Sequence, residues 1–101
     1  MHLLVIFKGD SVQELLNAIQ FIGKDKPIAA EKFRKKAFTV IDKIPDFPFI
    51  HPECRELPTS GHKYRNAIVS PYRIIYKITH TGIDILSIFH CSRNPRILKQ
   101  L

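Results

Sequence analysis

No stretch of this sequence approaches the ~18 consecutive apolar residues that a membrane-spanning helix needs. The N-terminal "MHLLVIF" is apolar but stops at Lys8. It has no basic region ahead of it and no small-residue cleavage site, so it reads as a strand of a cytoplasmic protein rather than a secretory signal. Cysteine is scarce: Cys54 and Cys91 stand far apart with no C-x-x-C pair, which argues against a disulfide scaffold and for a reducing compartment. "HPEC" (residues 51–54) resembles half of a metal site, but the second half is missing. His62, His80 and His90 lack ligand spacing, so neither a metal nor a cofactor is expected. Linkers, internal repeats and low-complexity segments are also absent. Dividing 101 residues would leave two pieces too small to bury enough apolar surface, so residues 1–101 are expected to form a single domain.

Acidic residues run out in the second half. Residues 62–101 hold seven basic residues (Lys63, Arg65, Arg73, Lys77, Arg93, Arg96 and Lys99) against Asp84 alone, whereas residues 1–61 hold nine against eight. Six units of the formal charge of +7 therefore belong to residues 62–101. A one-sided positive surface speeds encounter with nucleic acid or an acidic polypeptide.

After a strand at about residues 3–8, "GDSVQELLNAIQFIGKDKP" reads as a helix. Ser11 and Glu14 stand in the S-x-x-E capping-box arrangement, and Val12, Leu15, Leu16, Ile19 and Ile22 form an apolar stripe. Pro27 suits the first turn of a second helix, over residues 28–43, with Phe33, Ala37, Val40, Ile41 and Ile44 inward and Lys32, Lys35 and Lys36 outward. "IPDFPFIHPEC" has too many prolines for a helix or central strand and is expected to be a loop that Phe47 and Phe49 pin to the core. Three short β-rich runs follow, "RNAIV", "RIIYKIT" and "IDILSIFH", separated by "SP" and "HTG". The expected fold is α+β: an N-terminal strand, a two-helix hairpin, then a three-stranded antiparallel meander (β-α-α-β-β-β) with the hairpin across one face. The position of the first strand in the sheet stays open.

A two-residue turn at Thr81 and Gly82 would oppose Ile78 to Ile85, Tyr76 to Ser87 and Arg73 to His90. Arg73, Lys77 and His90 would then share one face, and Ile74, Tyr76, Ile78, Ile85, Ser87 and Phe89 the helix-covered face. Arg65 falls on the Arg73 face if the preceding turn is "SPY" and on the helix face if it is "SP". A His beside two Arg is biased toward neutrality and is free to act as a base, while guanidinium groups bind phosphate or carboxylate bidentately.

"YRNAIVSPYRIIYKITHTGIDILSIFHCSRNP" (residues 64–95) resembles the C-terminal half of the RelE/ParE superfamily of bacterial toxins. The two helices, the "IPDFP" exit and the "ELPTSGHKYR" connector fit the same layout. The resemblance implies the toxin of a type II toxin–antitoxin, plasmid-stabilising module, neutralised by a cognate antitoxin. RelE-like members cleave mRNA in the ribosome, whereas ParE-like members inhibit DNA gyrase. For a nuclease, the resemblance maps phosphate-binding roles to Arg73 and Arg93. His90 would stand in as the base, because "NPRILKQL" offers no Tyr. Three roles are needed to cut RNA with its own 2′-OH: a base, charge stabilisation and an acid. No residue meets the third. "HCSRNP" is closer to a ParE-like ending, so a non-catalytic gyrase inhibitor is favoured, with an mRNA endoribonuclease as the alternative. Arg65, Arg73, Lys77, Arg93 and Arg96 are the expected phosphate- or partner-binding residues. A plain nucleic-acid-binding module would account for the charge alone.

Overall fold

A computed structural model describes residues 4–54 and 64–92. The elements follow the expected order: β1 (Leu4–Phe7), α1 (Ser11–Asp25), α2 (Pro27–Lys43), β2 (Tyr64–Val69), β3 (Tyr72–Ile78) and β4 (Gly82–His90). Between β1 and α1 the chain reverses at Gly9, whose φ of 53° is a left-handed conformation that costs glycine little.

Helix α1 does not begin with the expected capping box. Asp10 takes the N-cap position without a side-chain bond, and Ser11 lies inside the first turn, its hydroxyl buried with no hydrogen-bond partner among the described residues. The Glu14 carboxylate reaches instead to β4, accepting the Ile88 N–H at 3.2 Å and the Ser87 hydroxyl at 3.2 and 3.3 Å. Strand β1 ends beside Ile85, so Ile88 lies past its reach on that edge of the sheet, and Glu14 supplies an acceptor there. Glu14→Ala should cost about 1.5–3 kcal/mol. A urea midpoint unchanged from wild type would show that the contact contributes nothing.

Leu15 and Ala18 of α1 are buried, with Ile19 and Ile22 packed at their margin, while Val12 and Leu16 stay half exposed. The helix packs against β4 on one side and α2 on the other, and those contacts follow a narrower stripe than its apolar residues define. Pro27 opens α2, and Ala30, Phe33, Ala37 and Ile41 line its buried side. Ile44, just past its end, is fully buried.

The sheet order is β1-β4-β3-β2. β1 lies at the edge, parallel to β4, while the other neighbours are antiparallel. Ile74, Tyr76, Ile83, Ile85 and Ile88 face the helices and build the main core. A second cluster on the opposite face gathers Cys54, Ile75 and Phe89, flanked by Tyr64 and Leu86. Among the described residues, no helix is long and apolar enough to cross a membrane.

Candidate functional site: two faces at one end of the sheet

The register of β3 on β4 departs from expectation in two steps. Four residues rather than two separate the first pair, Ile78 and Ile83. The Thr79 side chain and Gly82 backbone close this loop with bonds of 3.1 Å. That change moves the pairing by two residues, which preserves faces. A bulge follows, because Tyr76 pairs with Ile85 but Ile75 pairs with Ser87. The extra residue leaves a net slip of one, which exchanges faces. Arg73 therefore opposes Phe89, and His90 opposes Tyr72.

This corrects the expected juxtaposition. Arg73 and His90 share an end of the sheet but project from opposite faces. Arg73 is on the outer face, its guanidinium over the Phe89 ring at 5.5 Å. Lys77 lies on the same face, opposed across the ladder to Asp84, which is buried. Phe89, expected on the helix side, belongs to the outer cluster. Because the two groups are separated by the sheet, stability losses in Arg73→Ala and His90→Ala should add within about 0.5 kcal/mol in the double variant. Coupling well above that in a double-mutant cycle would contradict the separation.

His90 lies on the helix face, edge-on to Tyr72 at 5.3 Å between ring centroids. Tyr72 packs in turn on Phe33. The Ser92 N–H donates to His90 Nδ1 at 3.1 Å, and the Ser92 hydroxyl lies 2.7 Å from the same nitrogen. An N–H donor at Nδ1 requires a lone pair there, so in the neutral ring the proton sits on Nε2. Neutral His90 therefore offers a donor, while its basic nitrogen is occupied. The ring borders a groove of about 640 Å³ whose other walls include Glu14, Asn17, Phe21 and Ile88. Glu14 was expected at a helix terminus, and only the helix-to-sheet packing brings it to the groove.

Arg65 is removed from both sites. The turn between β2 and β3 is the two-residue "SP" form, pairing Val69 with Tyr72 and Arg65 with Tyr76. This puts Arg65 on the helix-face side, where it secures the loop after α2. Its guanidinium donates to the His51 carbonyl at 2.7 Å and the Phe49 carbonyl at 3.4 Å. It stacks on the Phe49 ring at 4.9 Å and approaches Glu53 at 3.7 Å. The Tyr76 hydroxyl adds a bond to the Pro48 carbonyl at 2.9 Å. Phe47 and Phe49 do not pin the loop into the core as expected; they are 59% and 69% exposed. Polar bonds to the backbone hold it instead.

Burial raises the Tyr76 pKa, with the Arg65 charge and a backbone hydrogen bond opposing the rise. A phenol held neutral in the fold favours the native state below its unfolded pKa of about 10, and that contribution is lost as pH rises through the higher folded value. Stability of the wild type should therefore fall more steeply above about pH 10 than that of Tyr76→Phe. Parallel denaturation curves across that range would refute the assignment. His51 shifts downward through burial.

Arg93 and Arg96 lie outside the described residues. The groups of His, Cys, Asp and Glu needed for a metal site do not occur among the described residues.

The family model for the ParE toxin of type II toxin-antitoxin system, parDE, matches residues 5–95. The chain belongs to this toxin family. Its fold is also similar to that of a chain in the crystal structure of the archaeal RelE–RelB complex from Pyrococcus horikoshii OT3. That match has a TM-score of 0.52 and 20% identity, and covers 93% of this chain and 100% of the other. No curated protein sequence matches. The toxin thus carries the RelE/ParE-like strand, helical hairpin and meander, with the two halves of its expected site on different faces.

Proposed function

We propose that this toxin acts by binding and inhibiting DNA gyrase, performing no bond-breaking chemistry of its own, and that a cognate antitoxin neutralises it. One observation carries the reading: Arg73 and His90 project from opposite faces of the sheet. RNA cleavage needs a base and a phosphate-stabilising cation at the same phosphate. The engagement of His90 Nδ1 by Ser92 further disfavours a base role. The family match to a ParE toxin agrees with a binding mode, and the solved RelE–RelB complex supports an antitoxin partner by analogy. Arg73 and Lys77, with Arg93 and Arg96 from the sequence, supply positive charge that favours encounter with a DNA-bearing target.

The test is purified toxin against gyrase supercoiling, with mRNA integrity followed during expression in the same host. Blocked supercoiling, reversed by antitoxin, with intact message supports the proposal. Cut message with normal supercoiling overturns it in favour of an endoribonuclease.

A further inference from the structure

Beyond the basic face, the toxin carries a second surface of opposite character. The loop after α2 exposes three large apolar side chains within four residues: Phe47, Phe49 and Ile50, the last 68% exposed. Monomeric proteins seldom present such clusters without a partner. This loop is held in shape. The Asp46 and Phe47 N–H groups both donate to the Lys43 carbonyl at 3.1 Å, and Ile50 N–H donates to the Phe47 carbonyl at 3.1 Å. Tyr76 and Arg65 fasten the carbonyls of Pro48, Phe49 and His51 from the sheet. Three prolines, Pro45, Pro48 and Pro52, restrict it further. Preorganisation of this kind lowers the ordering cost of binding.

The charge identifies the occupant. In a chain of net charge +7, residues 42–53 reverse the balance, with Asp42, Asp46 and Glu53 against Lys43, and the Arg65 guanidinium that reaches this loop lies against Glu53, which leaves Asp42 and Asp46 to set its exposed charge. Asp42 and Asp46 are exposed. A polyanion would be repelled here, and so would an acidic polypeptide. A basic protein surface with an apolar recess would be matched, and proteins that hold DNA carry such positive surfaces to neutralise phosphates. We propose that the Phe47, Phe49 and Ile50 loop is the surface by which the toxin docks on the protein part of its target, a basic, DNA-handling protein. This inference rests on the gyrase reading and assigns its protein contact to the loop, leaving Arg73 and Lys77 to the charged nucleic acid alongside.

The experiment compares wild type with the double variant Phe47→Ala/Ile50→Ala, whose side chains make none of the pinning contacts, and with Asp42→Lys/Asp46→Lys. Binding to purified gyrase holoenzyme is measured by biolayer interferometry alongside supercoiling inhibition, with thermal melting as the check on folding. Both variants should melt near wild type and lose affinity and inhibition by roughly tenfold or more. Wild type that binds beside variants that bind equally well overturns the docking surface and leaves the gyrase reading standing. Wild type that fails to bind overturns that reading and this inference with it. Lost affinity for bare duplex DNA in the Phe47→Ala/Ile50→Ala variant would assign the loop to nucleic acid and also overturn the proposal.

Discussion

Gly82→Ala is expected to detach the first strand. Gly82 is where parallel β1 meets β4, paired with Leu4. A Cβ at that position would overlap the Leu4 carbonyl oxygen and lie 2.7 Å from its nitrogen and 2.8 Å from its carbonyl carbon. These are backbone atoms, so no side-chain rotation relieves the overlap. Either β1 moves out of the sheet or the 79–82 loop reopens, and both break the bond from Leu4 N–H to the Thr81 carbonyl, 3.2 Å long. Overpacking of this kind costs about 1–3 kcal/mol, and lost strand pairing adds to it, giving a fall in melting temperature of roughly 10–20 °C for a domain of this size. Amide exchange should locate the damage in β1 and the start of β4. A melting point within two or three degrees of wild type (about 0.5 kcal/mol) would show that β1 contributes little to the folded state.

Replacing Arg65 should have a comparable effect by another route. Arg65→Met keeps most of the aliphatic stem but removes the donors to the His51 and Phe49 carbonyls, the cation over the Phe49 ring and the approach to Glu53. The expected cost is about 2–4 kcal/mol, because the part-buried contact to the His51 carbonyl and the exposed one to the Phe49 carbonyl are lost together with the ring contact. Arg65→Lys should recover little, since one ammonium cannot reproduce a planar fork spanning two carbonyls. Combined with Tyr76→Phe, the losses should be non-additive, because both side chains hold one loop. Full stability in Arg65→Met would remove the loop-fastening role and restore Arg65 as a candidate for partner binding.

That reassignment shows where the sequence was legible. The apolar spacing in α2 and the alternation in the meander identified the core: Phe33, Ala37, Ile41, Ile74, Tyr76 and Ile85 are all buried as the pattern requires. Pro27 marked its helix start for a simple steric reason. The site was less legible because its geometry depends on parity. A bulge between Ile85 and Ser87 has no local sequence mark, yet it decides whether His90 shares a face with Arg73. The S-x-x-E pattern at Ser11 and Glu14 was real but served β4, because a carboxylate takes the N–H group that packing brings to it. The edge position of β1 depends on pairing across the whole chain, which periodicity cannot express.

That pairing has a consequence for when the toxin can fold. Strand β1 finds its partner only in β4, the most distant of the described strands in the chain, with Leu4 set against Gly82. A growing chain can form the helical hairpin early, because those contacts are local, but it cannot close the sheet until β4 is available, and closing so long a loop is slow. Interrupted translation before residue 82 yields a fragment whose β1 has no partner. The topology therefore holds back the folded toxin until β4 has emerged.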